Sequence, residues 1–133
     1  MGTPRKNGKP DRSCPLIFVV DDEPVLLELA EKVLSDLHCR IETFTNPDIA
    51  LQKYSSAETP PDLVITDFAM HQMNGLALIR ACRRLHPKQK IIMVSGTVDE
   101  SVFAATDVKP DRFLAKPYQP KALSAIVQEL LKH

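Results

Sequence analysis

The sequence predicts an α/β protein with a doubly wound, five-stranded parallel sheet and helices on both faces. Short apolar runs, many of them β-branched, alternate with longer stretches whose apolar residues recur every three or four positions. Strands joined by helices in this way must be parallel, because each helix forms the crossover between its neighbours. Several runs are apolar almost throughout, which is typical of strands covered on both faces.

The predicted strands are short and lie at regular intervals along the chain. Each is followed by a stretch with a helical pattern. The five strands are predicted at Leu16–Val20, Arg40–Phe44, Leu63–Thr66, Lys90–Val94 and Arg112–Ala115.

Prolines mark the start or the end of four of the five predicted helices. Apolar residues from Val25 to Leu37 lie on one face of the first helix, and Pro24 stands in its first turn, where proline is tolerated. The second and the last helix also begin with a proline in the first turn. The helices after the first are predicted from Pro47, over about Asn74 to Leu85, over a shorter stretch of about Val98 to Thr106, and over Ala122 to Leu131.

Composition and charge bound the class of protein. The 133 residues suit one domain, and 44% hydrophobic residues supply an ordinary core. The 17 basic residues balance 17 acidic ones, which argues against a dedicated nucleic-acid-binding protein. Three cysteines form no CxxC pair, and no apolar run approaches the roughly 20 residues of a membrane span. We therefore expect a reduced, cytoplasmic protein that binds no membrane and, by itself, no nucleic acid.

Residues 1–13 differ from the rest of the chain. They contain two Pro, two Gly, four basic residues and one acid, with no apolar residue after Met1. Such a composition cannot bury a core. We expect a disordered basic tail over residues 1–13 and a single domain over residues 14–133.

Groups that can bind a metal or a phosphoryl oxygen stand at the ends of four predicted strands. Asp21 and Asp22 follow the first strand, Asp67 the third, Ser95 the fourth and Lys116 the fifth. Each has an ordinary alternative, such as capping a helix or standing in a turn. Together they are more informative, since ligands of such sheets bind outside the carboxyl ends of the strands.

The three carboxylates predict a cation. Two carboxylates 4 Å apart repel by about 4 kcal/mol at an effective dielectric of 20, so a cluster of Asp21, Asp22 and Asp67 asks for a positive charge. Hard oxygen ligands favour Mg²⁺ over Zn²⁺, and the four histidines show no ligand spacing. With Lys116 and Ser95 this is the equipment of phosphoryl transfer. Asp67 is the best candidate for the nucleophile, because it is central and least needed as a helix cap.

The same residues resemble the receiver domain of two-component response regulators over about residues 15 to 131. The set is characteristic because each motif follows its proper strand in the proper order. The matching motifs are FVVDDEP (Phe18 to Pro24), LVITDFAM (Leu63 to Met70), MNG (Met73 to Gly75), VSG (Val94 to Gly96) and LAKP (Leu114 to Pro117).

The resemblance implies a role for each residue. Asp67 would accept a phosphoryl group from a histidine kinase or histidine phosphotransfer protein, and the carboxylates with the Ala69 carbonyl would surround Mg²⁺. Ser95 and Phe113 would form the switch that reshapes the face of the fourth helix, fifth strand and last helix toward a downstream protein. The resemblance also implies a cis Lys116-Pro117 bond, and we expect the flavodoxin-like strand order 2-1-3-4-5.

One departure from the family pattern concerns the lifetime of the phosphoryl group. Some members carry an amide or acidic side chain two positions beyond the phosphoacceptor, where it orients the hydrolytic water; here that position is Ala69. We therefore expect a relatively long-lived aspartyl phosphate unless a partner phosphatase intervenes.

Two alternative functions stay open beside the signalling switch, which would catalyse only its own phosphorylation and dephosphorylation. One is a receiver-like interaction module that is never phosphorylated. The other is a Mg²⁺-dependent aspartyl-nucleophile phosphatase, although such enzymes usually place a second Asp where this chain has Ala69. No output domain follows the last predicted helix, so we expect a stand-alone receiver, with a fragment of a longer regulator or hybrid kinase as the alternative.

Overall fold

A computed structural model describes residues 14–70, 73–97, 100–103 and 106–132 of the chain. The tail predicted over residues 1–13 lies outside this part. The strands β1 to β5 form one parallel sheet in the order β2-β1-β3-β4-β5, which confirms the predicted order and the doubly wound class. Their bounds are Leu16–Val20, Arg40–Phe44, Leu63–Asp67, Ile91–Ser95 and Arg112–Ala115.

Four α-helices and one short 3-10 helix connect and flank the strands. The α-helices α1 to α4 are Pro24–Ser35, Pro47–Ser56, Gly75–Leu85 and Pro120–Leu131, and the 3-10 helix is Glu100–Phe103. Asn46 and Asn74 cap α2 and α3, since their side-chain oxygens accept the Asp48 and Ala77 amide hydrogens at 2.8 and 2.9 Å. None of the helices in the described ranges is long and apolar enough to cross a membrane.

Two helix predictions differ from the structure. The first predicted helix reaches Leu37, but α1 ends at Ser35, and His38 then adopts the left-handed conformation with φ of 59°. The fourth was expected as a short α-helix over Val98 to Thr106, whereas its described residues 100–103 form a 3-10 turn. Five of the nine residues over 98–106 are Val, Asp, Ser or Thr, which favour α-helices only weakly.

The core lies in two layers, one on each face of the sheet. Successive residues of a strand point to opposite faces, so Ile17 and Val19 of β1 pack toward α1 and α4. Phe18 and Val20 of the same strand pack toward α2 and α3. The central strands β3 and β4 are buried along their whole length, as their apolar sequences predict.

Candidate functional site

The predicted site residues converge at the carboxyl edge of the sheet. β3 and β4 each end one residue later than predicted, so Asp67 and Ser95 are their last residues, while Asp21 and Lys116 directly follow β1 and β5 as predicted. Backbone bonds continue the sheet past the strand ends: the Asp21 amide donates to the Phe44 carbonyl at 3.0 Å, and the Lys116 amide to the Ser95 carbonyl at 2.8 Å. The side chains are therefore held at the same level of the sheet.

Three carboxylates form a cluster at this edge. Oxygens of Asp21, Asp22 and Asp67 all lie within 4.8 Å of one another. Asp21 is 4% exposed and Asp67 is 6% exposed, so water screens their repulsion poorly. Hard oxygen donors of this kind fit Mg²⁺, and neither Cys nor His belongs to the cluster.

Lys116 lies between two of the carboxylates. Its Nζ is 3.1 Å from Asp21 Oδ2 and 3.2 Å from Asp67 Oδ1. Burial lowers the pKa of Lys116, but the hydrogen bonds and charges of Asp21 and Asp67 outweigh that effect, so the pKa is raised overall. The ammonium consequently stays charged at neutral pH and supplies a fixed positive charge next to Asp67.

The carboxyl group of Asp67 is poorly stabilised as an anion. Burial and the neighbouring charge of Asp21 raise its pKa, and Lys116 together with the Phe68 amide offsets only part of the rise. One lysine thus leaves the cluster short of positive charge. A bound cation, or a covalent bond from a carboxylate oxygen to an electrophile, would reduce the excess negative charge of the cluster.

The expected switch residues lie in two different environments. Ser95 is buried, and its Oγ accepts the Thr97 amide hydrogen at 3.1 Å and lies 3.3 Å from Thr97 Oγ1. Phe113 on β5 is partly buried, and its ring meets Phe103 edge-on with centroids 5.8 Å apart.

Ala69 is exposed in the loop after β3. The Lys116-Pro117 bond is cis, as the resemblance implies.

Gly75 contributes to the site through its missing side chain, a role that the predicted set of site residues did not include. A Cβ atom there would lie 2.6 Å from the Asp67 carbonyl oxygen and 2.7 Å from Met93 Cε. The Gly75 amide also donates to the Phe68 carbonyl at 2.7 Å. The start of α3 therefore packs directly on the end of β3. A glycine at the first helical position after a loop is the sequence feature that could have indicated this close approach.

Tyr118 is a second residue near the site that was not among the predicted site residues. Its side chain packs against the core layer of α1 and α4. The pKa of its hydroxyl is raised overall, mainly by burial and also by the charge of Asp21, while the charge of Lys116 opposes the rise. The phenol consequently stays protonated at neutral pH.

The fold and its edge define a class of protein: doubly wound α/β domains with an acidic cluster and a lysine at the carboxyl ends of the strands. The response regulator receiver domain family matches residues 17–128, and the chain belongs to this family. Receiver domains are phosphorylation switches of two-component signal transduction rather than typical enzymes. They bind Mg²⁺ through acidic residues, and response regulators work with sensor kinases.

Relatives and solved structures agree with this assignment. The chemotaxis protein CheY of Thermotoga maritima is 29% identical over 118 residues, which cover 87% of this chain and 94% of that protein. The transcriptional regulatory protein BaeR of Escherichia coli O6:H1 is 29% identical over 123 residues, 92% of this chain and 50% of that protein. The chain therefore spans half of BaeR, and it spans a quarter of the regulator NtrC of Escherichia coli K12.

Two solved structures illustrate the likeness of the fold. A CheY-like receiver domain protein of Methanospirillum hungatei superposes with a TM-score of 0.80 at 27% identity, covering 90% of this chain and 94% of that one. The BeF3-activated receiver domain of DrrB also has a TM-score of 0.80, at 25% identity over 90% of this chain and 99% of that one.

Proposed function

We propose that this receiver accepts a phosphoryl group on Asp67 from a phosphohistidine donor. The observation that carries the proposal is the cluster itself, in which three carboxylates lie within 4.8 Å and Lys116 Nζ lies 3.2 Å from Asp67 Oδ1. Asp21, Asp22, Asp67 and the Ala69 carbonyl are the groups we propose to hold Mg²⁺.

In the proposed reaction an oxygen of Asp67 attacks phosphorus and the bond from phosphorus to the donor's imidazole nitrogen breaks. The electron pair of that bond returns to the imidazole, which takes up a proton. Mg²⁺ held by these groups would neutralise negative charge on the phosphoryl oxygens. Lys116 exchanges its contact with Asp67 for one with a phosphoryl oxygen, a short movement for an ammonium already at 3.2 Å.

Ser95 and Phe113 are the residues we propose to transmit the change. Phosphorylation adds an acceptor that draws the Ser95 hydroxyl away from Thr97, which it contacts at 3.3 Å. The ring of Phe113 then turns into the vacated space and leaves Phe103. Because Phe carries no hydroxyl, this movement changes the packing of the surface toward a downstream protein without changing its hydrogen bonds.

The α1 surface beside the acidic pair suits docking of the phosphoryl donor. Val25 is 72% exposed and Leu29 is 38% exposed, one helical turn apart. We propose that these side chains contact the donor. Val25→Ser should slow transfer from a phosphorylated histidine phosphotransfer protein and leave phosphorylation by acetyl phosphate unchanged. Ile49→Ser on α2, where Ile49 is 53% exposed, is the matched control that should affect neither reaction.

Intact mass spectrometry tests the phosphoacceptor. With Mg²⁺ and acetyl phosphate, the protein should gain one acid-stable, base-labile phosphoryl adduct that Asp67→Asn abolishes. Asp36→Asn, at the exposed end of α1, is the control and should be modified like the wild type. Absence of any adduct would favour a receiver that acts without phosphorylation. Rapid turnover of many small phosphate esters would instead favour the phosphatase.

The lifetime of the adduct tests the role of position 69. Ala69 is exposed beside the cluster and offers no group to orient water. Ala69→Asn should therefore speed the loss of phosphate from isolated phosphorylated protein, measured by the decay of the adduct. An unchanged decay would refute this explanation of the lifetime.

A further inference from the structure

A groove of about 630 Å³ lies at the amino-terminal edge of the sheet, opposite the edge that carries Asp67. It lies between the segment before β3 (residues 60–62), the segment before β4 (residues 86–90) and the end of α4 (residues 130–131). Its volume falls in the range of about 300–1,000 Å³ that is usual for small-molecule sites. The site proposed for phosphorylation makes no use of it.

The walls of this groove are apolar and held in place. Pro60, Pro61 and Pro87 line it with rings that carry no amide hydrogen. Lys90 Nζ donates to the Leu130 carbonyl at 2.6 Å and fixes the end of α4 against β4. Buried Gln89 donates to the Pro61 carbonyl at 3.1 Å. A ligand would therefore meet a formed cavity rather than one it has to open.

The surroundings of the groove are basic. Residues 83–90 contain four Arg or Lys residues, one His and no acid, and one of the four, Arg83, is paired with Asp111 at 2.9 Å. The acid that lines the groove, Asp62, accepts the Leu16 amide hydrogen at 2.9 Å. Lys88 lines the groove and is exposed, and in the described part of the chain its ammonium makes no ion pair.

The helix ends at the groove do not reverse this charge. α3 and α4 both end there, and the carbonyl end of a helix carries partial negative charge. Arg84 in the last turn of α3 and Lys132 at the end of α4 oppose that charge. The amino-terminal segment of the chain is a poor occupant, because residues 1–13 carry four basic residues and one acid.

We infer that the groove binds small amphipathic carboxylates. The apolar body of the ligand packs between the proline rings and Leu131, and its carboxylate pairs with the ammonium of Lys88. One such ammonium at the rim matches a monoanionic head group. This inference is independent of the phosphorylation proposed above.

A matched probe series tests the inference by amide chemical shifts of the full chain. The probes are 4-phenylbutyrate, 4-phenylbutanol and the 4-phenylbutylammonium ion, which share an apolar body and differ in charge. The carboxylate should shift the amides of Gln89, Lys90 and Leu131 and bind at least fivefold more tightly than the alcohol. The ammonium ion should bind most weakly.

Two variants separate the charge from the apolar wall. Lys88→Glu should reverse the order of the three probes, whereas Lys32→Glu on α1, which makes the same charge change outside the groove, should preserve it. Leu131→Gln should weaken all three probes alike.

The inference would be overturned by equal affinity for the three probes, by shifts scattered over the surface, or by an equal effect of the Lys32 and Lys88 variants. Shifts of the same amides with protein concentration alone would also overturn it, because a second copy of the chain would then occupy the groove.

Discussion

Gly75→Ala should destabilise the protein, although alanine is the better helix former. In a helix interior, glycine costs about 0.5–1 kcal/mol relative to alanine, so propensity alone predicts a gain. The added methyl group, however, would lie 2.6 Å from the Asp67 carbonyl oxygen, a backbone atom that cannot move alone, and 3.1 Å from Phe68 Cα. Overpacking of this kind costs about 1–3 kcal/mol, so we expect a net loss of about 1–2 kcal/mol.

Urea unfolding followed by circular dichroism measures this loss. With a slope of about 2 kcal/mol per molar, the midpoint should fall by about 0.5–1 M. Gly96→Ala is the control, because its Cβ would lie 3.4 Å from Lys116 Cβ and 4.0 Å from Lys116 Cδ and O, which are ordinary contacts. Its free energy of unfolding should change by less than about 0.5 kcal/mol. If Gly75→Ala were as stable as the wild type, the close approach of α3 to β3 would not constrain position 75.

Three further changes test the site and the packing around it. Asp67→Asn should raise the urea midpoint at pH 7 without divalent cations. Burial and the charge of Asp21 raise the pKa of Asp67 in the folded protein above its ordinary value of 3.8, so ionisation of this carboxyl group opposes folding. The gain in stability from Asp67→Asn should therefore vanish toward pH 4, where the carboxyl group becomes protonated. A gain that did not depend on pH would contradict this cause. Arg83→Lys should cost about 1 kcal/mol in the same assay, because the Arg83 guanidinium donates hydrogen bonds to the Gln89 and Lys109 carbonyls and to the Asp111 carboxylate. Arg80→Lys, at an exposed ion pair of 4.0 Å, should be neutral. Equal effects of the two changes would refute a specific role of the Arg83 guanidinium. Tyr54→Phe should cost about 1–3 kcal/mol, since the Gln89 oxygen loses a buried 2.7 Å bond, and a neutral result would show that another donor replaces the hydroxyl.

The positions of the strands were predictable because the apolar pattern that defines each one is local. Apolar runs such as Leu63–Thr66 are visible in the sequence, and parallel crossovers then bring Asp21, Asp67 and Lys116 to one edge. The family resemblance was likewise confirmed by the match over residues 17–128. The catalytic and metal-binding roles of the individual residues stay predictions.

Features that depend on contacts between distant segments were not predictable. The sequence could not show that Lys116 contacts Asp21 as well as Asp67, since that requires side-chain positions. The end of α1 depends on the left-handed backbone of His38, a conformation that histidine adopts only occasionally. The basic groove joins three segments that are far apart in the chain, so no local pattern indicates it.

The contact between Lys116 and Asp21 joins residues 95 positions apart and has a consequence for the order of assembly. Asp21 directly follows β1 and Asp67 ends the adjacent strand β3, while Lys116 arrives only with β5 at the sheet edge. Any partly folded chain without β5 therefore holds the carboxylates together without their lysine. Docking of the last strand neutralises that repulsion, so the residues that prepare the site for chemistry also favour completion of the sheet.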